Sequence, residues 1–402
     1  MPTIYGLRGP CGSAKITNMR NTCSRVVAAA LTTATALSML ASTDPAAASP
    51  GSPGARLLGE AIVPHKLDFA GTTVGGLSGI DRDPCTGEYV LISDDRSYLQ
   101  PARFYTAEIQ VGEDGAGPVD FTGTQPFRQP DGATFPPPTL NDGKAVDPEE
   151  IRVDPQTCQY WWAQEGSRPK TPDSPDPVIQ PSIRKTDATG HHLGELPLPP
   201  NYEITLDEHG PRRNLVLEAI TFDESGSLLT SALEGPLIQD GPEPTTERGA
   251  LTRLTTQTRA GTVRSQHAYP LEPIFTTPTT RKPDTGVPAI LAHPDDPHRF
   301  LVLERTYVAG AGFKIRLFDA TTRGATDVKA VDSLSASNVQ PMRKRLIADF
   351  HDLGLSTVDN VEGMTWGPRL RTGESTVVLI SDDNFHPAEV TQIIALALPA
   401  TH

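Results

Sequence analysis

The sequence predicts an all-β fold, a single β-propeller of about five four-stranded blades that an N-terminal strand closes, with six blades as the alternative count. Three observations predict this fold: a strand–turn–strand pattern that recurs along the chain, a steady spacing between its copies, and a composition rich in turn residues. The 402 residues include 39 prolines and 34 glycines, which favours many turns and short strands over long helices. Hydrophobic residues make up 37% of the chain, enough to supply a core.

The recurring pattern is clearest in the hexapeptide VLISDD, which occurs at residues 90–95 and again at 378–383. Each occurrence ends a copy that consists of a strand, a turn of Pro, Gly or Asp residues, and a second apolar strand that finishes in an acid. Three weaker copies lie between these two. One apolar position anchors the five copies and is occupied by Ile80, Ile151, Ile220, Ile290 and Met364.

The anchors are 71, 69, 70 and 74 residues apart, and a period this steady indicates a repeat architecture. Two further strand-like runs per copy give the four strands of a propeller blade. The period exceeds the roughly 40–50 residues usual for one blade, so long loops must be inserted. We expect the Pro-rich residues 129–140 and 167–181 to be such loops.

The two ends of the chain predict how the ring closes. The last copy is followed by a single strand-like run, TQIIALAL at residues 391–398, so its blade lacks one strand. The segment ARLLGEAIVPH at residues 55–65 has the pattern of the outer strand that precedes every other copy. We therefore expect residues 55–65 to pair with residues 391–398 and complete the last blade.

The N-terminus has the features of an export signal. Basic residues precede a mildly apolar stretch at 26–41, and small residues at 46–48 offer a cleavage site. The apolar stretch is short and rich in threonine, so a permanent membrane span is the weaker interpretation. We expect residues 1–48 to be a signal peptide, with Met19 as the alternative start, and residues 49–402 to form one secreted propeller domain.

The formal net charge of −14 limits the partners of the chain. It argues against a nucleic-acid backbone or an anionic membrane surface as the main partner. An anionic small molecule stays compatible with this charge, because a bound cation reverses the local sign. We expect a monomer without a membrane span that binds a small-molecule ester or phosphate.

Cys85 and Cys158 are the two cysteines that remain after the predicted signal peptide is removed. They lie in the first hairpin turns of adjacent copies, DPCTG and DPQTC, where neighbouring inner hairpins could approach. An exported protein can oxidise such a pair. A disulfide is the favoured interpretation, and two free thiols are the alternative.

Acidic residues gather at one mouth of the predicted central channel. The first strand of each blade lines the channel, and this strand starts where the antiparallel second strand ends. Acids beside the anchor and acids at the end of the second strand therefore lie at the same mouth. The first group is Glu149, Glu150, Glu218 and Glu362; the second is Asp94, Asp95, Glu165, Glu234, Glu304, Asp382 and Asp383.

Carboxylates gathered in this way need a cation or raised pKa values to coexist. Oxygen ligands without cysteine or clustered histidine suit a hard ion, Ca²⁺ before Mg²⁺, and Asn214, Asn360 and Asn384 could add amide oxygens. Arg96 and Arg305 follow acids at this mouth and suit a phosphate or carboxylate ligand. The structural alternative is that the acids are solvated strand ends and that a channel cation only stabilises the fold.

Nine stretches together resemble the phytase-like family, which carries the label esterase-like activity of phytase. They are GGLSGIDRDP, ISDDRS, ARFYT, DPEEIR, EGPLIQDG, FLVLERTYVAGAGFKIRLF, GATDV, DNVEGM and SDDNF. The resemblance implies a secreted propeller and a metal-assisted hydrolase of esters or phosphoesters. In the calcium-dependent propeller phytases to which the family is compared, acidic residues hold Ca²⁺ that binds the phosphate and activates water.

The resemblance carries over residues inside its matching stretches, and Glu218 is added because it lies just before its anchor, as Glu362 does. We expect the catalytic residues to be Asp94, Asp95, Asp382 and Asp383. The expected substrate-binding residues are Arg96, Arg103, Arg305 and Asn384. The expected metal ligands are Glu150, Glu218, Glu362, Glu234, Glu304 and Asn360.

The leading interpretation is a secreted, Ca²⁺-dependent hydrolase of phosphomonoesters or other esters. One alternative is a non-catalytic propeller that binds a ligand or partner at the same mouth around a structural ion. Another is a lactonase-type propeller with a single channel Ca²⁺, which would act on lactones and not on phosphate. The three interpretations differ in the bond that is cleaved, if any.

Overall fold

The computed structural model describes residues 54–399 and shows an all-β propeller of five blades, which confirms the predicted fold class. Each blade is an antiparallel four-stranded sheet. The predicted signal peptide, residues 1–48, lies outside the described residues. Among residues 54–399, no helix is long and apolar enough to cross a bilayer. The helices there are short 3₁₀ turns at Pro138–Leu140, Pro200–Tyr202, Ile238–Asp240 and Phe350–Asp352.

The first two blades follow a short N-terminal section. That section contains β1 (Arg56–Val63) and a small hairpin of β2 (Asp68–Phe69) and β3 (Thr72–Thr73). Blade 1 consists of β4 (Leu77–Arg82), β5 (Tyr89–Ser93), β6 (Arg103–Gly112) and β7 (Gly115–Pro126). Blade 2 consists of β8 (Pro148–Val153), β9 (Tyr160–Gln164), β10 (Ser182–Thr186) and β11 (His192–Leu196). The predicted insertions at residues 129–140 and 167–181 lie between strands.

Blades 3 and 4 repeat the same order of strands from the channel outward. Blade 3 consists of β12 (Leu217–Phe222), β13 (Leu228–Leu233), β14 (Ala250–Thr258) and β15 (Val263–Leu271). Blade 4 consists of β16 (Asp284–His293), β17 (Asp296–Val308), β18 (Gly312–Thr321) and β19 (Arg343–Asp349). Every strand of these blades pairs antiparallel with its neighbour in sequence, so each blade is a simple meander.

Blade 5 combines the two ends of the described chain. Its strands, from the channel outward, are β20 (Val361–Trp366), β21 (Ser375–Ser381), β22 (Thr391–Leu398) and then β1. β1 runs antiparallel to β22, from Arg56 opposite Ala397 to Val63 opposite Thr391. The predicted closing strand is therefore confirmed, and β22 is not left as an unpaired edge.

Apolar side chains fill the interfaces between neighbouring blades. In β5, Val90 and Ile92 pack towards blade 2, whereas Leu91 packs towards blade 5. The second copy of the hexapeptide, in β21, is divided in the same way between blades 1 and 4. Since both faces of these strands are buried, they are continuously apolar and do not alternate with polar residues.

Cys85 and Cys158 form a disulfide, as predicted. Cys85 lies in the turn between β4 and β5, and Cys158 lies in the turn between β8 and β9. These turns are at the end of the propeller opposite the acidic mouth. The disulfide therefore fastens blades 1 and 2 to each other on the far side from the candidate site.

The middle of the channel is filled by Arg152. The inner strands β4, β8, β12, β16 and β20 contact one another in a ring around it. The guanidinium of Arg152 donates to the carbonyl oxygens of three anchors, Ile80 at 2.6 Å, Ile220 at 2.8 Å and Ile290 at 3.3 Å. It also donates to Oε2 of Glu150 at 2.8 Å. One side chain of blade 2 thus connects the inner strands of blades 1, 3 and 4.

Candidate functional site

A β-bulge in each inner strand positions the first ring of side chains at the mouth. In all five blades, the register between the first and second strands is interrupted just before the anchor. A bulge leaves its extra residue outside the pairing and re-aims the side chain. The residues two positions before the anchors are Ser78, Glu149, Glu218, Pro288 and Glu362. Three of the five blades therefore present a glutamate here.

The ends of the second strands position the second ring. In four blades, the residue after the strand donates its backbone N–H to the carbonyl oxygen four positions before the anchor, at 2.7, 2.9, 2.8 and 2.9 Å. In blade 4 the equivalent residue pairs with Gly286 in the strand register. The five residues are Asp94, Glu165, Glu234, Arg305 and Asp382. Four blades thus contribute a carboxylate, and blade 4 contributes a guanidinium.

The two rings surround a cavity of about 530 Å³ at the mouth of the channel. Its carboxylates are Asp94, Asp147, Glu149, Glu165, Glu218, Asp284, Glu362, Asp382 and Glu389. Its arginines are Arg96, Arg281 and Arg305, and its amides are Asn214, Asn360 and Asn384. The structure therefore brings acids from all five blades to one cavity, with Asp284 as the contribution of blade 4.

Two overlapping groups of carboxylates have the spacing of metal ligands. Oxygen atoms of Asp147, Glu149 and Glu165 lie within 4.8 Å of one another, as do those of Glu165, Glu218 and Glu234. Oε2 of Glu234 is buried and has no hydrogen-bond partner within the described chain. A buried acceptor without a donor is costly, and a hard cation would satisfy it. The donor set therefore fits Ca²⁺, and these five carboxylates are the residues that could hold it.

Burial raises the pKa values of these carboxylates. At Glu149 and Glu165 burial is the largest cause and neighbouring acids add to it, so both pKa values lie well above the ordinary value. Glu218 is raised in the same way. Burial raises the pKa of Asp147 to about 6 and that of Glu234 to about 8. A cation in their midst would favour the ionised forms, because it replaces repulsion by attraction.

Arg305 places one positive charge among three carboxylates on one side of the mouth. Its Nη2 donates to Oε1 of Glu234 at 2.8 Å, and its Nη1 donates to Oδ1 of Asn360 at 2.8 Å. Nη1 also contacts Glu362, and Asp284 lies 3.8 Å from Nη2. Burial acts to lower the pKa of this guanidinium, but the surrounding carboxylates outweigh it and raise that pKa well above its ordinary value.

Arg96 lies on the other side of the mouth. Its Nη1 is 3.1 Å from Oδ2 of Asp147, and its Nε is buried without a hydrogen-bond partner among residues 54–399. The predicted site residues that line or adjoin the cavity together with Arg96 are Asp94, Asp382, Glu218, Glu234, Glu362, Asn360, Arg305 and Asn384. Glu149, Glu165 and Asn214, which the sequence also placed at the mouth, line the cavity too, and the remaining predicted residues lie elsewhere.

Asp95 and Arg103 pair with each other inside blade 1. Nη1 of Arg103 donates to Oδ2 of Asp95 at 2.7 Å, and the two side chains are only 2% and 1% exposed. Asp95 also accepts the backbone N–H groups of Tyr98, Leu99 and Gln100. This pair fixes the turn that follows β5 and does not line the cavity.

Asp383, Glu304 and Glu150 are also outside the cavity. Asp383 accepts the backbone N–H of Gly76 at 2.9 Å and so joins blade 5 to blade 1. Glu304 accepts the hydroxyl of Tyr269 at 2.7 Å, a contact between blades 3 and 4. Glu150 lies in the channel, where burial raises its pKa to about 8 although a guanidinium is adjacent.

The sequence-based assignment of metal ligands did not include Asp147, Glu149 or Glu165. A signal for Glu149 exists, because it precedes its anchor by two positions, as Glu218 and Glu362 do, whereas Glu150 precedes it by one. Successive strand residues point to opposite sides, so only one member of the pair can face the mouth. Asp147 likewise shares its position before the anchor with Asn360.

The five-bladed ring and its acidic mouth can be compared with known proteins. A family model for Phytase-like proteins, described as esterase-like activity of phytase, matches residues 72–385. The chain belongs to the phytase-like family. The matched part of this phytase-like chain spans blades 1 to 4 and the two inner strands of blade 5. No curated protein matches the chain.

Three solved structures show a distant likeness to the phytase-like chain. Raptor of Chaetomium thermophilum has a TM-score of 0.29 and 9% identity over 58% of this chain, which spans 15% of Raptor. A protein of unknown function from Dyadobacter fermentans has a TM-score of 0.39 and 11% identity over 87% of this chain and 100% of its own. A gluconolactonase from Xanthomonas campestris has a TM-score of 0.34 and 11% identity over 87% and 96%. At these TM-scores the likeness carries no inference about function.

Proposed function

We propose that the phytase-like chain is a Ca²⁺-dependent hydrolase of phosphomonoesters or other esters that acts at the acidic mouth of its propeller. One observation carries the proposal: two ligand-spaced groups of carboxylates share Glu165 within a cavity that also contains Arg96. Carboxylates that hold a hard cation next to a guanidinium suit an anionic substrate. Membership of the family supports the same class of reaction.

Five carboxylates would hold the metal, namely Asp147, Glu149, Glu165, Glu218 and Glu234. When bound, the metal supplies charge neutralisation and lowers the pKa of water. Arg96 would bind an oxyanion of the substrate, because its guanidinium lines the cavity beside Asp147 and its side chain is 31% exposed. The narrow channel below, which Arg152 fills, would keep the substrate at the mouth.

Asp94 and Asp382 are the proposed general bases. Both line the cavity, and burial raises the pKa of each well above its ordinary value, with repulsion from neighbouring acids added. A raised pKa makes the ionised carboxylate a stronger proton acceptor. The backbone N–H of Asn384 donates to Oδ1 of Asp382 at 2.8 Å and fixes its orientation.

We further propose that the protein is exported and monomeric. The disulfide between Cys85 and Cys158 supports export, because such crosslinks persist in oxidising compartments. Residues 1–48 are the proposed signal peptide. A monomer is supported by the closure of the propeller within one chain, since β1 completes blade 5 without a second copy.

The metal site is tested by calorimetric titration of Ca²⁺ into mature protein from which metal has been stripped. We expect binding by the wild type and its loss in Glu165→Gln, which removes the ligand common to both groups. Glu195→Gln is the matched control, since Glu195 belongs to the outer strand β11 and pairs with Arg184 at the surface. No binding by the wild type would contradict a role for Ca²⁺.

The reaction is tested by assaying the same proteins on three classes of compound. These are phosphomonoesters (with phytate among them), aryl esters, and lactones. Hydrolysis of either of the first two classes that needs Ca²⁺ and is lost in Glu165→Gln would support the proposal. Activity on lactones alone would replace it by a lactonase. Calcium binding without any hydrolysis would leave a ligand-binding propeller with a structural ion.

A further inference from the structure

Blade 4 departs from the pattern of the other blades at the mouth. Of the two ring positions, blades 2, 3 and 5 carry a carboxylate at both, and blade 1 carries one at Asp94. Blade 4 has Pro288 at its bulge and Arg305 at the end of its second strand. At the position where four blades place an acid, blade 4 places a cation.

The guanidinium of Arg305 bridges the two blades that flank blade 4. It donates to Glu234 of blade 3 at 2.8 Å and to Asn360, just before β20 of blade 5, also at 2.8 Å. It contacts Glu362 of blade 5 as well, and its side chain is 10% exposed. All three acceptors are oxygen atoms, which are the donors that a hard cation would use. Arg305 therefore stands where a metal ion could otherwise be held.

The opposite side of the mouth has no comparable guanidinium among its glutamates. Within residues 54–399, neither Glu149 nor Glu165 forms a salt bridge. Asp147 meets Arg96, but that contact of 3.1 Å involves one nitrogen only. Glu234 connects the two sides, because its Oε1 binds Arg305 while its Oε2 is buried without a partner in the described chain.

We propose that Arg305 is an internal cation that occupies the side of the mouth at blades 4 and 5 and confines metal binding to the side at blades 2 and 3. This inference rests on the proposed function. The metal ligands would then be Asp147, Glu149, Glu165, Glu218 and the free oxygen of Glu234. The carboxylates Asp284 and Glu362 and the amide of Asn360 would form a further cation site only when the guanidinium is removed.

A guanidinium differs from a bound metal ion because it cannot dissociate from the chain, and its charge is permanent at every physiological pH. The side of the mouth that Arg305 occupies therefore keeps this positive charge whether or not calcium is present. The number of calcium ions bound by the chain is therefore set by the residue at the end of one strand in one blade.

The experiment is to count bound calcium by equilibrium dialysis and calorimetry in the mature wild type, Arg305→Gln, Arg305→Lys and Arg281→Gln. We expect Arg305→Gln to gain about one calcium ion per chain, because the released oxygen atoms take up a divalent cation in place of the guanidinium. Arg305→Lys keeps the charge and should match the wild type. Arg281→Gln removes an equal charge from the same cavity and should also match it.

A folded Arg305→Gln protein that binds the wild-type number of calcium ions would overturn the inference, as would one that binds none. Binding by Arg305→Gln alone would support the role of Arg305 as an internal cation but contradict the metal site at blades 2 and 3 and with it the proposed function, whereas no binding by either protein would contradict both. Melting curves with and without Ca²⁺ show whether the variant folds, and we expect Ca²⁺ to stabilise it more than the wild type. If Arg305→Gln does not fold, the double variant Arg305→Gln, Glu389→Gln relieves the repulsion with a cavity acid that is not one of the released ligands, and its bound calcium is counted in the same way.

Discussion

Two adjacent carboxylates at the end of one strand can have unrelated roles, and this chain contains two such pairs. Asp94 lines the cavity, whereas Asp95 is enclosed with Arg103 in blade 1. In blade 5, Asp382 lines the cavity and Asp383 binds the backbone of blade 1. Successive residues of an extended chain point to opposite sides. The first acid of each pair therefore faces the mouth, and the second faces the interior.

At this scale we predict that Arg103→Met destabilises the fold strongly. The substitution leaves Asp95 buried without its counter-ion, which typically costs about 3–5 kcal/mol of unfolding free energy. Arg56→Met is the matched control, because the pair of Arg56 with Glu374 is at the surface, with Arg56 55% exposed, and such pairs contribute about 1 kcal/mol or less. Denaturant unfolding measures both. Equal midpoints for the two variants would contradict a structural role for Arg103.

The sequence predicts which strand ends carry acids, but it cannot by itself decide which acid turns inward. Whether the side chain of Glu149 faces the mouth depends on the β-bulge in its strand. The bulge in turn depends on how closely neighbouring blades approach. At Gly79 of blade 1, a Cβ atom would lie 2.9 Å from the carbonyl oxygen of Glu149 in blade 2. That contact joins residues far apart in sequence. Aligning the copies on their anchors recovers Glu149, but no local pattern predicts Arg305 as the partner of Glu234.

Among the elements, the repeat is what makes this fold predictable. The five anchors correspond to five inner strands, and the incomplete last copy correctly predicts that β1 pairs with β22. The hairpin of β2 and β3 and the filling of the channel by Arg152 are not predictable in this way. Arg152 binds carbonyl oxygens of three other blades, and such convergence appears only once the ring has closed.

The disulfide gives a prediction for the turns. Cys85 and Cys158 are separated by 73 positions, and removing a crosslink that closes a loop of this length costs about 4 kcal/mol in the chain-entropy account. We expect Cys85→Ser, Cys158→Ser to lower the unfolding free energy by roughly that amount. Because the turns lie at the far end of the propeller, calcium affinity should not change. Loss of calcium binding in a folded double variant would contradict this separation of the two ends.

At the scale of the whole molecule, buried carboxylates lie close together at the mouth of the channel and repel one another. Burial raises the pKa of Glu234 to about 8, and Glu149 and Glu165 are raised well above their ordinary values. The folded chain therefore holds protons at neutral pH that the unfolded chain has released. Folding stability must then fall as pH rises through these raised pKa values, because the unfolded state binds fewer protons.

We accordingly predict that metal-free protein melts at a lower temperature at pH 8.5 than at pH 6.5. Each proton involved changes the unfolding free energy by about 1.4 kcal/mol per pH unit. Three histidines have lowered pKa values and therefore titrate below the pH range being compared. They are His192, His267 and His293. Saturating Ca²⁺ should reduce the difference, since the cation competes with the protons. Scanning calorimetry measures it, and a rise in melting temperature with pH would contradict the prediction.

The pairing of β1 with β22 has a consequence for biosynthesis. β1 is the first strand of the described chain and β22 is the last. β1 is therefore synthesised long before its partner, and blade 5 can form only after β22 has been made. A chain that stops early leaves an open sheet edge, which invites aggregation and proteolysis. The ring can therefore close only after β22 has been synthesised, because β1 has no partner in blade 5 before then.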